Sequence, residues 1–97
     1  MDFEWDEAKN AANIAKHGID FEDAIRIFDG PVLENADTRR DYGEHRTISF
    51  SLLDDREVVV VYTMRRGCRR IISARKAHRS ERKAYREAYP KGPTPAE

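Results

Sequence analysis

The chain's most chemically suggestive stretch is "RRIISARKAHRSERKAYREA", Arg69 to Ala88. Arginine presents a planar fork that donates two hydrogen bonds at fixed geometry, the arrangement that suits phosphate. Arg65, Arg66, Arg69 and Arg70 flank a turn around Gly67. Arg75 and Lys76 close the strand that follows, and Arg79, Arg82, Lys83 and Arg86 lie on the next helix. Hydroxyl groups accompany them at Tyr62, Thr63 and Ser73, so the segment reads as a surface for a phosphodiester backbone. For Arg82, Lys83 and Arg86 the plainer alternative is favoured: a solvated helix face on which Glu81 and Glu87 pair locally. Arg75, directed from a strand rich in apolar neighbours, is read as functional. The turn and the far strand end of an antiparallel hairpin lie at opposite ends of a sheet, so these arginines need not form one patch.

Lys16-His17 is the second candidate. An imidazole titrating near ~6.5 can give or take a proton at neutral pH. Metal-free RNA cleavage needs a group to take the 2′-hydroxyl proton, cations to hold charge on phosphorus, and a donor to the leaving oxygen. The ordinary alternative is that Lys16 and His17 stabilise a helix C-terminus, worth ~0.3–1 kcal/mol each. In "RRDYGEHR", Glu44 and His45 are adjacent and point to opposite faces if extended, so a loop role is preferred there. Neither a metal nor a cofactor is expected. Cys68 stands alone, and His17, His45 and His78 share no ligand-like spacing.

The 18 basic and 18 acidic residues cancel, but not locally. Met1 to Asp55 holds 14 acidic against 6 basic residues, and Arg56 to Glu97 holds 12 basic against 4 acidic. A split of −8 and +8 suggests an anionic partner for one half and leaves the other free for a basic one. The alternative is mutual neutralisation across the fold. With 97 residues, one domain with one small core is expected, and a three-layer architecture is not. "MDFEWDEAKN" is acidic where a secretory signal is basic, and Val58 to Tyr62 is too short to span a membrane. Together with the lone cysteine this points to the cytoplasm.

These candidates need elements to carry them. "DFEWDEAKNAANIAKHG" reads as a short edge strand or extended lead-in and then a helix capped by Asp6 and closed by Gly18. Its apolar face is expected at Trp5, Ala8, Ala12 and Ala15, with Ile14 beside them. "DFEDAIRIFDG" predicts a second helix with Phe21, Ala24, Ile25 and Phe28 as its stripe, capped by Asp20. Three strands follow: "HRTISFSLL", "EVVVVYTM" and "RRIISARK", joined by turns at Asp54 to Arg56 and around Gly67. "PVLENAD" adds a possible edge strand. A last helix runs from about His78 to Tyr89. The domain is expected to span residues 1–89, with 90–97 as a disordered Pro-rich tail.

"FEWDEAKNAANIAKHGIDFEDA" followed by "VVVVYTMRRGCRRIISARKAHRSERKAYREA" resembles the BrnT family of bacterial type II toxins, from Phe3 to about Ala88. The pairing of W-D-x-x-K…K-H-G-x-x-F with R-I-I-S-A-R-[KR]-A is more specific than either half. The resemblance implies an α+β, RelE-like fold: two N-terminal helices packed on a three- to four-stranded antiparallel sheet, with a C-terminal helix. It implies a metal-independent endoribonuclease that arrests growth. Its basic positions carry over onto Lys16, His17, Arg65, Arg75 and Lys76 as catalytic and onto Ser73 and Arg79 as RNA-binding; Arg66, Arg70 and Arg82 join the RNA-binding set from the basic segment itself. It implies a BrnA-type antitoxin, a heterotetramer with it, and contact with operator DNA only through it. The competing readings are a nucleic-acid-binding module without catalysis and a protein-interaction domain.

Overall fold

The computed structural model describes residues 2–88; the Pro-rich tail expected at 90–97, and Tyr89, lie outside that range. The centre is β4 (Arg56–Arg65), whose Val58 to Val61 run is buried on both faces. Such a β-branched run suits a strand covered from two sides. It pairs antiparallel with β3 (Thr47–Leu53) and with β5 (Cys68–Lys76). Both hairpins are two-residue turns with consecutive positive φ values, at Asp54 and Asp55 (50° and 66°) and at Arg66 and Gly67 (55° and 77°). That geometry matches the strand twist and favours Asp and Gly. β2 (Leu33–Ala36) adds an antiparallel edge beyond β3.

The expected antiparallel meander is incomplete. β1 (Phe3–Glu4) pairs in parallel with β5 at Arg69 and Arg70, giving a five-stranded mixed sheet of order β1-β5-β4-β3-β2. Two residues are too few to show a periodicity, so only the return of the chain over the sheet decides this pairing.

One face of the sheet is covered by α1 (Glu7–His17), the single turn α2 (Phe21–Ala24) and a 3-10 turn, Ile25–Asp29. Ile19, Phe21, Ala24 and Ile27 meet Val58, Val60, Tyr62, Ile71 and Ala74 in that core. The second expected helix is therefore α-helical only at its start. The other face carries α3 (Arg79–Ala88), whose Tyr85 is buried. So the expectation against three layers fails: helices lie on both sides. β3 explains the need. Its hydroxyl-bearing Ser49 and Ser51 point to the α1 side and are buried, while Ile48, Phe50 and Leu52 point to the α3 side and stay half-buried. Ser49 is accommodated by donating to Glu34 at 2.6 Å, and Ser51 by donating to the Pro31 carbonyl at 2.9 Å.

α1 is turned relative to its expected orientation. Ala8, Ala12 and Ala15 are exposed, Ile14 is 41% exposed, and the buried residues are Asn10 and Asn13. Asn10 accepts from the Phe21 N–H at 2.9 Å and donates to Asp20 at 3.0 Å, fixing the corner into α2. The predicted caps hold. Asp6 accepts from the Ala8 and Lys9 amides, and Gly18 takes the left-handed conformation (φ 70°).

Candidate active site

The site forms where β5 becomes a sheet edge. β1 covers β5 only at Arg69 and Arg70, which leaves the stretch from Ile71 to Lys76 without a strand on that side. Asn13 of α1 takes the missing partner's place at Ala74. Its side chain donates to the Ala74 carbonyl at 2.8 Å and accepts from the Ala74 N–H at 3.1 Å. One helical turn later comes His17, half-buried. Burial lowers its pKa from 6.5, and the positive charges of Lys16 and then Arg75 lower it further.

From the opposite face comes α3. Its first turn is held by the His78 N–H donating to Glu81 at 2.6 Å, half of a capping box, and by the Ala77 N–H donating to the Glu57 carbonyl at 3.0 Å. Arg75 then closes the arrangement. Its Nη1 and Nη2 donate to the two Glu81 oxygens at 2.7 and 2.8 Å, with side-chain exposures of 17% and 20%. The Arg75 hydrogen bond is the chief reason the Glu81 carboxyl lies below its usual range; burial opposes it, and the His78 amide assists. His78 Nδ1 stands 3.6 Å from Glu81. A groove of about 190 Å³ adjoins Glu81, between α3 and the β2–β3 edge, with Phe50, Asn35 and Ser80 among its walls. No three His, Cys, Asp or Glu side chains among the described residues stand as a metal-binding group.

Of the residues singled out from sequence, His17, Arg75 and Lys76 share this end of β5, with exposed Lys16 beside His17. Ser73 lies two residues before Arg75 on the same face, opposite Val61. Arg79 is exposed on the first turn of α3, and Arg82 donates to the Ala77 carbonyl at 3.2 Å. The remaining arginines lie elsewhere. Arg75 stands opposite Val59, whereas Arg65 is six residues further along β4, which is about 20 Å away at strand rise. Arg65 therefore lies too far from Arg75 for both to touch one phosphate group. It approaches Glu44 at 3.8 Å, Arg70 pairs with Glu4, and Arg66 sits in the turn.

Glu81 and His78 were missed from sequence. Glu81 was assigned to local pairing on its own helix, yet it reaches back to Arg75 instead. A signal was available: Glu81 stands three residues after His78, the capping-box interval. Its link to Arg75 had no comparable signal.

Comparison with known proteins identifies the family and the fold. Residues 5–81 match the family described as "Ribonuclease toxin, BrnT, of type II toxin-antitoxin system". The fold is similar to the 1.1 Å crystal structure of the Brucella abortus ribonuclease toxin BrnT, with a TM-score of 0.61 and 28% identity. The alignment covers 81% of this chain and 99% of that one. Among curated proteins none matches. The chain belongs to the BrnT family, the ribonuclease toxins of type II toxin–antitoxin systems.

Proposed function

We propose that this toxin is a metal-independent endoribonuclease whose reaction centre is the open end of β5. One observation carries the reading: at that end a guanidinium (Arg75) pairs with a carboxylate (Glu81) of α3, and its charge helps to lower the pKa of the His17 imidazole on α1. Arg75 and Lys76 hold the scissile phosphate, and His17 with Lys16 transfers protons. Attack of a ribose 2′-hydroxyl on phosphorus builds negative charge on the phosphoryl oxygens. A guanidinium already fixed in place stabilises that charge without reorganising. Ser73, Arg79 and Arg82 extend the cationic and hydroxyl surface along the RNA. Arg66 and Arg70 contact its backbone at the far end of the sheet, and Arg65 acts there too rather than at the bond being broken.

The antitoxin of this system is of the BrnA type. It covers the basic surface in a two-plus-two heterotetramer and supplies the contact with operator DNA. The acid–base split of the chain supports a protein partner as well as RNA. The toxin acts on RNA in the cytoplasm and so arrests translation and growth. Among the described residues no helix is long and apolar enough to cross a membrane.

The test is cleavage of a labelled RNA by purified protein in EDTA, beside Arg75→Ala. Cleavage by the parent and its loss in the folded variant are expected. Equal cleavage by both would remove Arg75 from the mechanism.

A further inference from the structure

Arg75 is engaged along one edge of its guanidinium. Nη1 and Nη2 hold the Glu81 carboxylate, and Nη1 also donates to the Lys76 carbonyl at 3.2 Å. Among the described residues nothing accepts from Nε or from the second Nη2 hydrogen, which form the neighbouring edge. Arginine has five N–H donors in a rigid fork. A phosphate can therefore seat on the free edge while the carboxylate keeps the other. Two anions on adjacent edges of one guanidinium are near neighbours, which would bring the 2′-hydroxyl of the nucleotide carrying that phosphate toward Glu81.

We propose that Glu81 is the general base of the reaction, taking the proton of the 2′-hydroxyl that attacks the phosphorus held by Arg75. The inference rests on reading Arg75 as the phosphate-binding residue. In the step, the 2′-oxygen–phosphorus bond forms as the phosphorus–5′-oxygen bond breaks. The 2′ proton passes to Glu81, and the 5′ oxygen leaves with a proton from the His17 imidazolium. A 2′,3′-cyclic phosphate and a 5′-hydroxyl result. The two proton carriers come from different elements: Glu81 stands on α3 and pairs with Arg75, and His17 stands on α1, where the Arg75 charge reaches it.

Three features suit Glu81 to the role. Its carboxylate is ionised at neutral pH, and a phosphate drawing on Arg75 weakens the hydrogen bond that holds its basicity down. It is held at two points, by Arg75 and by the His78 amide, which limits its movement. It also forms part of the wall of the 190 Å³ groove, so it is reachable by a ligand. A glutamate that merely tied α3 to β5 would need the first two features but not the third.

The experiment measures cleavage of a labelled single-stranded RNA in EDTA by the full chain and by Glu81→Gln, Glu81→Asp and Glu81→Ala, with melting temperatures for all. The expected result is a ~10²–10⁴-fold fall in kcat for Glu81→Gln, the range for loss of a general base. Glu81→Asp should retain part of the rate. Added formate should partly restore Glu81→Ala, because a free carboxylate can enter the vacated place. Glu81→Gln within a few-fold of the parent would overturn the inference and leave the ribonuclease reading intact. So would a fall matched by loss of folded protein with no formate rescue, which is the signature of a structural tie. If the parent itself cleaves no RNA while properly folded, the reading of the Arg75 site fails and this inference fails with it.

Discussion

The two ends of the β4–β5 hairpin carry similar densities of arginine and use them differently. At the turn end, Arg69 lies over three aromatic rings, with its guanidinium carbon 4.3 Å from the Phe28 centroid, 5.2 Å from Tyr62 and 5.9 Å from Phe3. Arg70 pairs with Glu4, and Arg65 approaches Glu44. These contacts close off the end of the core, where the phenol of Tyr62 donates to Glu34 at 2.8 Å. At the far end, Arg75 is held by a carboxylate on one edge only and stands near an imidazole of shifted pKa. Cationic charge alone therefore does not single out the proposed reaction centre. What singles it out is a cation with free donors beside groups able to exchange protons.

The sharpest way to break this contrast is to truncate one arginine at each end. Arg75→Ala should lower kcat for RNA cleavage by about 10²–10³, the usual cost of one donor to a developing oxyanion. Arg65→Ala should leave cleavage within about threefold, because a single exposed phosphate contact contributes little to the bond-breaking step. Equal losses in both would mean that the two ends act together on one phosphate.

Asn13→Ala probes how the far end is assembled. It removes the groups that serve Ala74, and leaving a buried polar group unpaired costs about 1–3 kcal/mol. Chemical denaturation should show that loss, and cleavage by the folded fraction should also fall as the end of α1 shifts. Arg69→Ala should be nearly as destabilising, by roughly 1–2 kcal/mol from lost ring contact and packing, but with unchanged cleavage per folded molecule. If Arg69→Ala lowered kcat instead, the turn end would have a part in the chemistry.

The pH dependence sharpens the same contrast. In the proposed reaction His17 acts as donor in its protonated form, and burial and neighbouring positive charge lower its pKa from 6.5. Cleavage should therefore be maximal on the acid side of 6.5. It should fall about tenfold per unit as pH rises past the His17 pKa. Glu81 must be ionised, so the rate should also fall at pH values below its lowered pKa, under 4.5. Turn-end substitutions should leave both limbs in place. Gly18→Ala gives the smallest effect, about 1 kcal/mol of stability. The side chain meets open space, but φ is +70° and a Cβ disfavours that conformation.

Much of the fold was legible in the chain. Asp6 and Gly18 mark the ends of α1, Asp54-Asp55 and Arg66-Gly67 mark the two hairpins, and alternation in β3 marks its two faces. Each signal lies within a few residues and depends on backbone preference or on period. The separation of Arg65 from Arg75 was legible for the same reason, since hairpin geometry alone places them apart. What the sequence by itself determined, then, is the set of elements, the hairpin arrangement and the family likeness. Tertiary structure decided which faces are buried: Asn10 and Asn13 turn inward on α1 while its alanines face water, and Ser49 and Ser51 lie in the core. It also decided the site. Asn13 meets Ala74 across 61 positions, and Glu81 of α3 meets the strand end that His17 approaches from α1. Hydrogen bonds of that kind depend on where distant backbone groups are left unpaired, and no local pattern records it.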